Sequence, residues 1–309
     1  MSLSAIDMTA LARRLASLDE VKGRSLWADA RIRFSRNRAA VAGLILLVFC
    51  FAFAFAGQAL SPYTYDFTDF SIMGNAAELG RPSWTNGYYF GTDDLGRDLF
   101  SRTAMGTRIS LYVGVIGSVI AVVVGTLYGA IAGYMGGRVD QIMMRIVDIL
   151  LAVPFMFVII LLLVMFGKSL SMLFLGIGLL SWLGMARIVR GQTLTLKNKE
   201  FIEAARASGV SSWRIIIRHI VPNLLGIVAV YATLLVPEMI LTESFISFLG
   251  LGVQEPQTSL GALISEGART IRYGTLWQLA FPLFFFITTM FAFYFVGDGL
   301  RDALDPKDR

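Results

Sequence analysis

Residues 41–60 read VAGLILLVFCFAFAFAGQAL, an unbroken run without a charged side chain. At about 1.5 Å of rise per residue, such a run is as long as the hydrocarbon core of a bilayer is thick. A helix on the surface of a soluble domain keeps a polar face, and this one has none to show to water. The run therefore reads as a membrane-spanning helix. Cys50, the chain's single cysteine, lies inside it. One thiol makes no intrachain disulfide, no thiolate zinc site and no CxxC redox pair, so Cys50 reads as a small apolar filler.

Five more long apolar runs follow, at residues 109–133, 149–166, 169–186, 224–250 and 276–297, of which 224–250 carries Glu238 and Glu243. The run at 149–166 is short, but residues 140–147 ahead of it are half apolar and extend it. Composition agrees: 56% of residues are hydrophobic, only 16% are charged, and phenylalanine is unusually common. A cleaved leader is the alternative for the first run, with Ala59 and Ser61 as small residues at its end. Its apolar stretch and the 40 residues ahead of it are both too long for a leader, and five runs follow. The expected fold class is an all-α integral membrane protein with six transmembrane helices.

Lysine and arginine bias sets the orientation. The N-terminal segment, the connection after the second run, the loop at 187–222 and the tail together hold 20 basic residues, against 7 on the other side. The richer side is expected to be cytoplasmic, which places both termini there. Topology thus accounts for the net charge of +5 without nucleic acid as a partner. Part of the N-terminal segment, around residues 27–34, has the pattern of an amphipathic helix on the anionic inner leaflet, with membrane lipid as its partner. Residues 61–108 hold prolines, glycines and several aromatics, and read as a small ordered cap built of turns. The chain thus divides into a cytoplasmic segment 1–40, a first span 41–60, an extracytoplasmic loop 61–108 and a core 109–309 of five further spans.

Within the spans, Gly117, Ala121, Gly125, Gly129 and Gly133 place a small residue at every fourth position, the pattern of close helix contact in lipid. Pro154, Pro237 and Pro282 fall inside spans and each removes a backbone donor. Glu238 and Glu243 are intramembrane carboxylates, costly unless they face a wet cavity or a partner. Both are candidates for a translocation path. Glu243, near the outer end of its span, has the alternative of reaching the interface, and Glu238 that of pairing with a basic group.

The loop after the fourth run contains KNKEFIEAARASGVSSWRIIIRHIVPN, residues 197–223. Residues 200–208 are helix-prone, and Gly209 interrupts them. Ser211 or Ser212 can cap a second helix at 213–220, and Pro222 stands where the fifth span begins. The expectation is two short helices with a glycine turn, presented to the cytoplasm. Ala204 and Ala205 let a helix sit close to another surface, Gly209 permits a turn that a side chain would block, and Glu203 can hydrogen-bond locally or across an interface.

These residues resemble the EAA loop of bacterial ATP-binding-cassette importer permeases, with Glu203, Ala204, Ala205, Gly209 and Pro222 at the pattern's positions. His219 and Val221 replace the Ile and Leu of the general pattern, a variant similar to the peptide and nickel branch. The resemblance extends over nearly the whole chain from Gly23. GRSLWADARIRFSRNRAAVAGLI, FGTDDLGRDLFSR, GYMGGRVD, RIVRGQTL, ESFISFLGLGVQEP and GDGLRDALDPKDR are all similar to the C-type subunit of oligopeptide permeases. Leu260 is a small departure, where the family favours Trp. The tail is shared by dipeptide and nickel permeases, which remain the alternatives within the branch, and the GRSLW segment favours the oligopeptide side.

The resemblance implies a type I importer-permease fold. It implies a coupling loop of Glu200, Phe201, Glu203, Ala204, Ala205, Gly209, Val210 and Pro222 that docks on an ATPase subunit. The implied partners are a homologous second permease, two ATPase subunits that bind ATP and magnesium, an extracytoplasmic peptide-binding protein and the peptide itself. On that reading the chain is a non-catalytic subunit without a cofactor of its own.

Other function classes find little support. Gly167, Lys168 and Ser169 match the end of a phosphate loop, but Leu162 stands where its first glycine belongs. His219 is the single histidine and reads as a polar loop residue, and no HExxH, cysteine cluster or GxSxG elbow occurs. An ion-coupled secondary transporter using Glu238 would call for inverted repeats, which are not evident. An intramembrane enzyme would need a nucleophile and base pair that is not recognisable here.

Overall fold

The computed structural model describes residues 26–304. Arg13, Arg14, Lys22, Arg24, Lys307 and Arg309, which contribute to the basic asymmetry, lie outside the described residues.

The described residues begin with α1 (Leu26–Arg36), on the stretch that has the amphipathic pattern, and α2 (Arg38–Leu60). Asn37 divides them: its Oδ1 accepts from Ala39 N and Ala40 N at 3.1 and 3.2 Å, starting α2. A cap of turns then holds the single-turn α3 (Ala76–Leu79). It is tied by isolated bridges and by stacked rings of Tyr63 and Tyr88, 4.4 Å between centroids. The remaining helices are α4 (Leu99–Met135), α5 (Gly137–Ala152), α6 (Phe155–Phe166), α7 (Leu170–Leu196), α8 (Glu200–Ala207), α9 (Ser212–Ile215), α10 (Val221–Phe248), α11 (Leu260–Thr270) and α12 (Trp277–Leu304). Among the described residues, five helices are long and apolar enough to cross a membrane, or six crossings if the bent pair α5–α6 is one span. Among the described residues there is no strand.

α4 begins well before the apolar run at 109–133. Asp98 caps it, accepting from Phe100 N at 3.3 Å and Ser101 N at 2.9 Å, so the helix starts at Leu99 and takes in Arg102 and Arg108. The small-residue stripe on α4 serves two neighbours. Gly117 lies against Met239 of α10, while Gly125, Gly129 and Gly133 lie against Met185, Ala186 and Thr193 of α7. A four-residue step overshoots a helical turn by about 40°, so the stripe winds from one partner to the next. At Gly129 the approach is so close that an added Cβ would fall 2.3 Å from the Ala186 carbonyl oxygen.

The three intramembrane prolines behave differently. Pro154 breaks its span, with α5 and α6 bent by 76° and Val153 extended between them. The residue before a proline is disfavoured in the helical region, and the proline offers no donor to bridge the bend. Pro237 and Pro282 stay inside continuous helices. Pro222 also fails to separate helices: α9 runs through a π-helical turn, Ile216–Ile220, straight into α10. The expected second short helix of the coupling loop is therefore the first turns of the fifth span. The widened π turn stands directly before Pro222 and carries the helix past a residue that offers no backbone donor.

α4 and α7 pack in parallel, since Gly125, Gly129 and Gly133 meet Met185, Ala186 and Thr193 in the same order. The chain between them must return across the bundle, so α5–α6 forms a full crossing. α2 and α12 pack antiparallel, with Gly43 against Phe295 and Ala40 against Gly299. The beginning of α2 and the end of α12 therefore meet, and Asn37 Nδ2 donates to Asp302 at 3.5 Å.

Candidate functional site

The EAA-like segment stands at the end of α7 as a short helix with one buried anchor. Ile202 is fully buried in a cluster with Tyr134, Met185, Val189, Ile215, Ile216 and Ile220, and Ala205 and Val210 pack at its edge. That cluster joins α4, α7, α8 and the start of the fifth span. The opposite side of α8 is bare: Glu200, Phe201, Glu203 and Ala204 are exposed, and Trp213 beyond the turn is 58% exposed. Glu203 forms no ion pair among the described residues.

The turn after α8 explains its glycine. Gly209 N donates to Arg206 O (3.1 Å) and Val210 N to Ala205 O (3.1 Å), closing the helix in a Schellman-type end. Gly209 has φ +75°, which a β-branched residue adopts only with strain. Arg206 lies over the Tyr134 ring, 5.4 Å from its centroid, and adds a second tie to α4. Pro222 lies apart from α8, in the first turn of α10, and is exposed. His219 is half-buried, and its carbonyl accepts from Asn223 Nδ2.

The two intramembrane carboxylates have opposite environments. Glu238 is exposed on the subunit surface, in line with Leu241, Phe245 and Phe248, which are 50%, 52% and 44% exposed along the same side of α10. Glu243 does not reach an interface. Its side chain is fully buried, accepting from Ser110 Oγ of α4 at 2.9 Å, Ser247 Oγ at 2.7 Å and Ser244 Oγ at 3.2 Å. Ser110 Oγ also accepts from Leu260 N at 3.3 Å, so the cluster reaches α11. The two glutamates are five positions apart, about 140° around a helix, and this rotation sends one outward and the other into the bundle.

At the opposite end of the bundle from α8 lies an ionic cluster. Arg102 is fully buried in the first turns of α4. Its Nε is 3.3 Å from Asp93, and its Nη2 is 3.4 Å from Glu255 and 3.5 Å from Glu266. Arg97 bridges Asp93 at 2.6 Å and also bonds Glu255. Burial pushes the Glu266 carboxyl above its usual range, with Arg102 opposing. Burial also acts to raise Glu255, but the Arg97 hydrogen bond and the Arg102 charge outweigh it and hold Glu255 below the usual range. Sequence reading missed α11 and this cluster. Ser259 before Leu260, Leu263 and Gly267 is a capping residue followed by helical spacing, and was the available signal. Ser259 Oγ does accept from Ala262 N, at 3.3 Å.

The quoted sequence stretches meet in pairs. FGTDDLGRDLFSR meets ESFISFLGLGVQEP through Arg97, Arg102 and Glu255. GYMGGRVD meets RIVRGQTL through Asp140 and Arg190, whose guanidinium reaches both carboxylate oxygens at 2.5 and 2.6 Å.

Residues 125–309 match the family described as binding-protein-dependent transport system inner membrane component. The chain belongs to this family. Residues 25–77 also match the N-terminal transmembrane domain of oligopeptide transport permease C. This inner membrane component is 59% identical to the oligopeptide transport system permease protein OppC of Escherichia coli K12, over 94% of each chain. It is 55% identical to OppC of Haemophilus influenzae, over 94% of this chain and 91% of that one. It is 45% identical to the dipeptide transport system permease protein DppC of Bacillus subtilis, over 94% and 89%. Among solved structures, a chain of the inward-facing MetNI methionine ABC transporter superposes with a TM-score of 0.52 at 17% identity, covering 64% of this chain and 94% of that one. That likeness bears on the fold alone. The component is a multi-pass inner-membrane protein with the type I importer-permease fold.

Proposed function

We propose that this chain is one of two homologous permease subunits of an ATP-driven importer that carries oligopeptides across the bacterial inner membrane. The observation that carries the substrate class is the 55–59% identity to oligopeptide permeases over 94% of the chain. A binding protein delivers peptide on the extracytoplasmic side, and the two permeases enclose the path. ATP and magnesium are bound and ATP hydrolysed by two partner ATPase subunits, and this chain supplies no catalytic residue. Both ends of the chain lie in the cytoplasm.

α8 is the contact for an ATPase subunit. Its support is mechanical: a bare surface of Glu200, Phe201, Glu203 and Ala204 is backed by one buried side chain, Ile202, that reaches α4, α7 and the fifth span together. A push on α8 is thus delivered to three membrane helices at once. Gly209 and Val210 fix its exit angle, while Pro222 acts as the first turn of α10. Glu238 lies on a face of α10 that is exposed among the described residues, so it lines the path or its gate.

Gly209→Val should misdirect α8 while leaving the spans intact. Reconstituted complexes carrying it should keep their subunit composition but lose most peptide uptake and peptide-stimulated ATP hydrolysis. Glu203→Lys should do the same by reversing charge on the docking face. Wild-type uptake and stimulation in both variants would sink the coupling role. Competition of labelled oligopeptide uptake by dipeptide or nickel would reassign the substrate. For the path, Glu238→Cys in a Cys50→Ala background should react with a small aqueous thiol reagent in at least one nucleotide state. No reaction in any state would remove Glu238 from the path.

A further inference from the structure

A cavity of about 390 Å³ lies where α1 turns into α2 and α12 ends, lined by Arg33, Arg36, Asn37, Gly299, Asp302 and Ala303. Its corner is closely packed. Gly299 approaches α2 so closely that an added Cβ would fall 2.2 Å from that of Ala40, and Phe34 closes over it from α1. Asn37 caps α2 with its oxygen and donates to Asp302 with its nitrogen. Arg33 and Arg36 line this corner, and Arg36 forms no ion pair among the described residues. Among the described residues of the lining, Asp302 is the one carboxylate.

An apolar seam rises directly from this corner. On α2, Leu44, Ile45 and Val48 share a helix side with Asn37, seven, eight and eleven residues on, and are 43%, 64% and 61% exposed. On α12, Phe295 and Phe291 lie seven and eleven residues before Asp302 on one side, and are 40% and 53% exposed. Gly43 against the Cβ of Phe295 joins the two helices along the seam. A basic cavity at the foot of an exposed apolar groove has the chemistry of a phospholipid: an anionic head beneath two hydrocarbon chains. Guanidinium groups suit a phosphate because they donate in a planar fork.

We propose that this corner binds the headgroup phosphate of an acidic phospholipid, with its acyl chains laid along the α2–α12 seam. A free phosphate would match the charge of the lining and leave the seam bare. A zwitterionic lipid would cover the seam but bring no net negative charge to the two lining arginines, Arg33 and Arg36. Bound there, the lipid ties α1 to the end of α12. The proposal needs only that α2 and α12 cross the membrane, so it stands apart from the peptide reading.

The test uses the purified importer complex, stripped of lipid in mild detergent. It is titrated with short-chain phosphatidylglycerol, with phosphatidylcholine of the same chain length, and with inorganic phosphate, and bound lipid is counted by native mass spectrometry. Phosphatidylglycerol should bind in preference to phosphatidylcholine and resist competition by phosphate. Arg33→Gln with Arg36→Gln should weaken it about 30-fold, the share of two arginines near an anionic headgroup. Arg31→Gln with Arg38→Gln, which removes equal charge outside the lining, should leave affinity near the parent's. A photo-cross-linker at Val48, in an otherwise unaltered chain, should capture lipid. Equal weakening by both pairs would mean a diffuse basic surface and overturn the site. Full competition by phosphate would make it a free-anion site, and capture of the second permease from Val48 would make the seam a protein interface; either result also overturns the proposal.

Discussion

Glu243 shows how one side chain can be both costly and useful inside a membrane protein. A carboxyl group buried without polar partners would destabilise the fold, and its three serine hydroxyls supply donors from α4 and α10. The group therefore acts as a hydrogen-bond hub where α4, α10 and the start of α11 meet. Glu243→Ala should leave buried hydroxyls unpaired and cost about 1–3 kcal/mol, seen as a lowered melting temperature of the purified complex. Glu243→Gln keeps an acceptor, and hydroxyls rotate to suit it, so it should melt near the wild type. Equal loss in both variants would mean that charge, not hydrogen bonding, matters here. Gly209 is the opposite kind of residue: its role follows from its own backbone, at φ +75°, with nothing within 4 Å of an added Cβ.

At the scale of elements, α11 depends on partners far away in the chain. Its Gly261 and Gly267 are pressed against the backbones of Ser244 and Gln278, and Glu266 reaches Arg102. Glu255, just ahead of it, is held by Arg97 and Arg102. Because the folded Glu255 titrates below its ordinary range, its contribution is fully present above that range and is lost as pH falls through the lowered value. Glu255→Gln removes it at any pH. Protection of residues 255–270 against hydrogen exchange, taken relative to the intrinsic rate at each pH, should therefore fall in Glu255→Gln at neutral pH, and in the wild type on acidification into the lowered range. Unchanged protection in the variant would show that packing of the two glycines alone secures α11. α8 is the simpler case, because its length, its glycine stop and its anchor all lie within one short stretch.

For the whole molecule, the decisive feature is the parity of crossings. A re-entrant α5–α6 would put the two ends of the chain on opposite sides, whereas a bent full crossing brings them together. The parallel packing of α4 and α7, and the meeting of Asn37 with Asp302, correspond to the second arrangement. Reporter fusions after Lys199 and Lys307 should then report the cytoplasm, and fusions after Asp69 and Gly252 the outside. A fusion after Lys307 that reports the outside would refute the cytoplasmic placement of the chain's end.

The sequence by itself determined that the chain crosses a membrane and roughly where. An uncharged apolar run is stable in lipid whatever its neighbours are, so residues 41–60 needed no tertiary context. It also determined the glycine turn at Gly209, since the conformational freedom belongs to that residue alone. Only the tertiary structure decided where the charges go. Arg102 is interior because Asp93, Glu255 and Glu266 surround it, and Glu243 is interior because Ser110, 133 positions away in sequence, supplies a donor. The same holds for Pro154 and Pro237: both remove a donor, yet one breaks a span and the other lies in an unbroken helix. Burial of a charge or loss of a backbone bond is decided by the groups the fold brings alongside, and periodicity along the chain carries no record of them.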